Sequence, residues 1–132
     1  MVKNFFVVLL LVFSFSLNAQ ENTVKDTKNK LEWEDSNEAL VEIWKLANGY
    51  CKQLQLAGHR DWRLPTKDEL ISLSKNTALK KKFHNFTENV FWSKDSDPKD
   101  EYNIFTIFSG NGFVSASDTC EEYATMCVRD LH

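Results

Sequence analysis

The chain has 132 residues, with 16 basic and 19 acidic side chains, a net charge of −3 and 42% hydrophobic content. That length suits one domain rather than two. The acidic balance excludes functions that rest on global positive charge, namely wholesale binding of nucleic acid or of anionic membrane.

Lys3, an unbroken apolar run from Phe5 to Phe13 and the small residue Ala19 give residues 1–19 the layout of a secretory signal peptide. The run is shorter than the roughly 20 apolar residues that span a bilayer. Cleavage after Ala19 removes Lys3 and no acid, so the net charge passes from −3 to −4. The product is expected to be exported, periplasmic or secreted, with no stable membrane insertion. Residues 20–30 contain the polar string ENTVKDTKNK and read as a flexible leader. The domain is expected to occupy residues 31–132.

LEWE at 31–34 alternates apolar and acidic side chains, as a half-buried strand does. Ser36 or Asn37 is the candidate cap of a helix running to about Gln55, with Leu40, Ile43, Trp44, Ala47, Cys51 and Leu54 on one stripe. Gly49 weakens such a helix and calls for a packing reason or a weak turn. Gly58 follows the helix. In DWRLPTKDEL (61–70), Leu64 precedes a proline, Pro65 suits a helix start, and Thr66 with Glu69 forms a capping box. A second helix is expected from Lys67 to Ser74, with Leu70 and Leu73 inward, then a helical turn around Lys80. Strands are expected at 90–93, 102–110, 111–117 and 123–130, with Ser109, Gly110, Asn111 and Gly112 as a hairpin turn. Helices first and antiparallel strands later define an α+β domain.

No nucleophile with a base, and no carboxylate pair or metal set in a recognisable pattern, stands out, so the chain reads as non-catalytic. The three histidines, His59, His84 and His132, are scattered. Asp95, Asp97 and Glu101 in KDSDPKDE (94–101) are calcium candidates, although the spacing lacks the glycine and terminal glutamate of an EF-hand loop. No other cofactor is expected. Lys80, Lys81 and Lys82 are the one dense basic run and a candidate ligand patch, against the plainer reading of a solvated face. Of four tryptophans, Trp33, Trp44 and Trp62 read as core, and Trp92, beside the acidic loop, is a candidate ligand platform. Arg63 reads as an ion-pair partner of Asp61 or Glu69 rather than as an anion site. Asn85, Phe86 and Thr87 form a glycosylation sequon. Export favours a disulfide between two of the three cysteines, Cys51, Cys120 and Cys127, and leaves one over. Their spacing does not suit zinc.

Cys51, GHRDWRLPTKDEL (58–70), FWS (91–93) and CVR (127–129) occur in the order of a bacterial exported domain family. With Trp33, Glu34 and Asp35 near its start, the chain resembles the C-terminal domain of the Legionella collagen-like adhesin and its relatives from about Leu31 to Asp130. An Arg-Leu-Pro-Thr string also occurs in formylglycine-generating enzymes. This likeness implies a C-type-lectin-like architecture, with two helices packed on small antiparallel sheets and the termini close together. No counterpart of those enzymes' catalytic cysteine pair maps here. The family pattern implies a Cys51 to Cys127 disulfide with Cys120 free, the alternative being Cys120 to Cys127.

The resemblance further implies a binding module for carbohydrate or a surface protein, as in adhesion. The alternative is a structural component of the cell envelope with no small-molecule ligand. Sulfated-glycan binding would need a basic surface that only Lys80 to Lys82 offer, and no collagen-like repeat precedes the domain to multiply contacts.

Overall fold

The structure, a computed structural model, describes residues 22–132; the expected signal segment lies outside the described residues. The element order is β1 (Thr23–Asp26), β2 (Leu31–Glu34), β3 (Leu40–Ile43), α1 (Trp44–Gln53), α2 (Lys67–Lys75), α3 (Thr77–Lys80), β4 (Val90–Asp97), β5 (Asp100–Phe108), β6 (Val114–Asp118), β7 (Glu122–Thr125) and β8 (Val128–Asp130). The strands make a three-stranded sheet, β1-β2-β8, and a five-stranded sheet, β3-β7-β4-β5-β6. The domain is α+β, with three helices among the described residues.

The first and last strands share one sheet, each antiparallel to β2, so the two ends of the described chain meet there. Residues 23–30 are therefore not a flexible leader. Val24 and Asp26 are buried while Lys25 faces out. The Asp26 carboxylate accepts hydrogen bonds from the Asn29 backbone N–H (3.3 Å) and side-chain amide (2.8 Å). That contact closes the turn into β2. A composition too polar to suggest a strand is held by pairing and by this turn.

The first helix is shorter than the stripe suggests. Leu40 to Ile43 pair antiparallel with β7, from Leu40 opposite Thr125 to Ile43 opposite Glu122, and the helix begins only at Trp44. The Ser36 hydroxyl donates to Glu34 Oε2 (2.7 Å) instead of capping. Gly49 has open space where a Cβ would stand, so packing does not require it. Ala47 and Cys51 are the helix's buried residues.

The second helix starts as its sequence dictates. Thr66 Oγ1 accepts from the Glu69 N–H (3.0 Å) and the Thr66 N–H donates to Glu69 Oε1 (2.8 Å). Asp95 Oδ2 accepts from the Lys67 N–H (2.6 Å), satisfying another free donor of the first turn. Asn76 ends α2 and caps α3, accepting from the Leu79 N–H (3.0 Å). β5 and β6 are joined through the 109–112 turn, where Gly112 takes φ +81° and its N–H reaches the Phe108 carbonyl (2.7 Å). The larger sheet also contains one parallel pairing, Phe91 beside Ala124.

Two apolar clusters fill the interior. Leu31, Trp33 and Val128 of the small sheet join Leu70 and Leu73 of α2 and Phe91 and Ile107 of the large sheet. Ala47, Trp62, Leu64, Trp92 and Ile104 surround the two half-cystines. Cys51 and Cys127 are bonded, with Cα atoms 5.5 Å apart, and Cys120 is free and exposed.

Candidate functional site

The DWRLPT corner is architecture. Arg63 is bonded to Val128 in both directions through backbone groups at 2.8 Å, stitching the segment to β8. Its guanidinium meets Glu69 in a two-pronged pair, Nη1 to Oε1 at 2.8 Å and Nη2 to Oε2 at 2.9 Å, and reaches Asp130 at 3.0 Å. Asp61 belongs to a different arginine: Arg129 Nε donates to Asp61 Oδ1 at 2.8 Å and Arg129 Nη1 to Glu32 Oε1 at 2.7 Å. Trp62, Leu64 and Pro65 are buried.

These contacts bias protonation. Burial pushes the Glu69 carboxyl up, but Arg63 and the Thr66 backbone outweigh it and hold it below the usual carboxylate range. Glu32 is also held low, because Thr23 and Arg129 overcome the cost of its burial. The hydrogen bond from Arg129 lowers Asp61. Both arginines gain affinity for their protons, from Glu69 above all at Arg63 and from Asp61 at Arg129.

The other expected site residues are not brought together. Trp92 is 0% exposed, donates its indole N–H to the Glu42 carbonyl (2.8 Å) and stacks edge-on against Tyr123, so it is core and no ligand platform. Asp95 is bound to the start of α2, and Asp97 accepts from the Lys99 N–H (2.9 Å) in the turn between β4 and β5. Among the described residues no three acidic, histidine or cysteine side chains converge as a metal site would require, which removes the geometric basis for calcium on Asp95, Asp97 and Glu101. Lys80 Nζ is held by the Ser109 carbonyl (3.2 Å) and lies 5.7 Å from the Phe86 ring centre. Lys81 and Lys82 are left as the exposed members of the basic run.

Another set of buried polar groups gathers where the ends of β2 and β7 approach the loop after α3. Glu34, Asp35, Phe83, Phe86, Phe91 and Thr125 line a crevice with about 20 Å³ of inner space. Glu34 and Asp35 are each 3% exposed. Glu34 accepts from the Tyr50 hydroxyl, the Ser36 hydroxyl and the Cys127 N–H (3.0 Å). Burial and the Glu34 carboxylate push the Tyr50 phenol well above its usual range, so it stays a donor. Asp35 accepts from the His84 N–H (2.8 Å) and the Asn85 N–H (3.0 Å), pinning the 83–87 loop. Thr125, 3% exposed, carries a buried hydroxyl with no hydrogen-bond partner among the described residues.

Glu34, Asp35 and Thr125 were not candidates from the sequence. The one local signal is the adjacency of two acids behind Trp33; Thr125 has none. His84, which sits in a phenylalanine-rich loop, contributes its backbone N–H here while its side chain is exposed.

No curated protein matches the chain. The family model described as the Lcl C-terminal domain matches residues 22–129, beginning one residue before β1 and ending within β8. The chain belongs to the Lcl C-terminal domain family.

Proposed function

We propose that this chain is an exported, non-catalytic binding module, periplasmic or secreted, whose ligand is a carbohydrate or a surface protein, as in adhesion. The observation that carries this reading is the crevice of Glu34, Asp35 and Thr125. It offers charge, an unpartnered hydroxyl and aromatic walls on a rigid frame. Export is supported by the leader-like layout of residues 1–19 and by the buried Cys51–Cys127 disulfide, which persists in oxidising compartments. No helix of the described residues is long and apolar enough to cross a membrane. Neither nucleic acid nor a bound cofactor enters the proposal.

The C-type-lectin-like class is part of the same proposal. It is supported by the first and last strands sharing a sheet and by the bond from α1 to the approach of β8. The acidic crevice and the engagement of Lys80 favour a protein or an uncharged sugar over a sulfated glycan.

The test is saturable binding of the exported chain, with and without calcium, to a glycan array and to purified surface proteins of its host. Saturable binding on either arm supports the module. No saturable binding on both would overturn it and leave the envelope-structural role.

A further inference from the structure

We infer that the crevice is a subsite for one primary ammonium group, supplied by a lysine side chain or chain N-terminus of a protein ligand or by a small free amine. The inference deepens the binding-module reading and rests on it for the biological source of the group. Its chemistry rests on the crevice alone.

The charges at this place are incomplete. Every donor to Glu34 and Asp35 named above is a neutral N–H or O–H. Among the described residues, no Lys, Arg or His nitrogen forms an ion pair with either carboxylate. Two residues earlier on the same strand, Glu32 shows how this protein treats a buried acid that it neutralises itself, with Arg129 at 2.7 Å. Buried carboxylates are costly without a counter-charge, and neutral donors offset only part of that cost.

The second observation is independent of the acids. Thr125 reaches the same crevice from β7, and its hydroxyl is one of two buried side-chain polar groups without a partner among the described residues; the other, Trp33 Nε1, does not line this space. A hydroxyl on the wall of a crevice that two carboxylates also line keeps its oxygen as an acceptor for an N–H donor.

Shape and walls narrow the class. An inner space of about 20 Å³ holds one group the size of a water molecule. An –NH₃⁺ head meets that limit, whereas a guanidinium or a trimethylammonium exceeds it and a sugar ring covers only the mouth. Phe83, Phe86 and Phe91 line the space as apolar aromatic walls, and an aromatic ring attracts a cation through its face. A divalent metal would need about six oxygen ligands, and no acidic cluster of that kind converges here. Lys80 does not line the crevice, so the chain's nearby ammonium leaves the space free.

The experiment titrates the full exported chain with n-butylammonium and with n-butanol, its uncharged counterpart, at constant ionic strength. NMR shifts are followed at Ala39, Asn85, Thr125 and Met126, all of which border the crevice. Saturable shifts confined to these residues, with the amine and not the alcohol, are expected. Thr125→Val keeps the shape and removes the unpartnered hydroxyl, so it should fold normally and bind the amine about tenfold more weakly. Asp35→Asn should bind it more weakly still, with its fold checked in the same spectra. Nα-acetyl-lysine methylamide and a peptide with a free N-terminus then distinguish the sources, and either one shifting these residues supports the inference.

Absence of saturable shifts, equal response to the alcohol, an undiminished response in Thr125→Val, or a bound water at Thr125 that amines never displace would each overturn the subsite. Macromolecular binding retained in both variants, with no amine response, would sink the subsite and leave the module standing. Amine uptake without any macromolecular ligand would do the reverse.

Discussion

Reducing the Cys51–Cys127 bond should cost the domain about 4 kcal/mol. The two cysteines are 76 positions apart, so the bond closes most of the domain into one loop. For a loop that long the chain-entropy treatment gives a little over 4 kcal/mol at room temperature. Both residues are 0% exposed, and reduction leaves their sulfurs in place, so no cavity term is added. Substituting alanine at both positions would mix the two effects. With a urea slope of about 2 kcal/mol/M, the unfolding midpoint should fall by about 2 M when reductant is present.

The kinetics carry a second expectation. A thiol reaches a buried disulfide only when the structure opens, so reduction of the native protein should follow the opening rate rather than reductant concentration once reductant is in excess. Cys120 is exposed and could attack the opened bond, so the measurement is best made on Cys120→Ser, which touches no buried contact. A midpoint change below about 0.5 M would show that the cross-link constrains little, against the loop-closure treatment. Reduction of the folded chain as fast as that of an exposed disulfide would contradict its burial.

Acid should destabilise the domain through Glu32 and Glu69. Their folded-state pKa values lie below the ordinary 4.5, so their stabilisation is full above that pH and is lost as pH falls through the depressed values. Glu32→Gln should cost about 3 kcal/mol at neutral pH and shrink the difference between urea midpoints at pH 7 and pH 3; an unchanged difference would count against this role. Arg63→Lys loses the two-pronged contact with Glu69 and should lower stability by about 1 kcal/mol in chemical denaturation, discounted for partial exposure. Gly49→Ala should raise stability by about 0.5 to 1 kcal/mol, because the position is helical and open; a lower melting temperature would mean that the glycine serves something other than packing.

The features readable from the sequence are those whose partners lie close along the chain. Thr66 and Glu69 are three residues apart, and their reciprocal bonds are where the capping pattern puts them. LEWE forms β2 with the expected bounds. The failures have the opposite character. Leu40 and Ile43 continue the helical spacing of Ala47 and Cys51, yet β7, about 80 residues downstream, draws them into a strand. Val24 and Asp26 lie in a string too polar to suggest order, and only pairing with Trp33 and Leu31 explains their burial. Trp92 borders an acidic loop in sequence but is roofed by Tyr123 and anchored on the Glu42 carbonyl, both distant along the chain.

The crevice is the extreme case, since β2, the loop after α3, β4 and β7 each supply a wall and only the adjacent acids behind Trp33 mark it locally. Its separation from the structural motif follows from where the two arginines sit. Arg63 and Arg129 flank Val128 and neutralise Glu69, Asp130, Glu32 and Asp61, so the acids around β8 are paired by the chain itself. Glu32 and Glu34 are two positions apart on one strand and therefore project to the same side. One receives a guanidinium and the other only neutral donors, although both are buried. A general shortage of cations cannot explain that difference, because Lys81 and Lys82 stand exposed on the helical turn that precedes the Phe83 wall. The contrast within β2 is between an acid that the chain pairs with a cation and an acid that it holds with neutral donors alone.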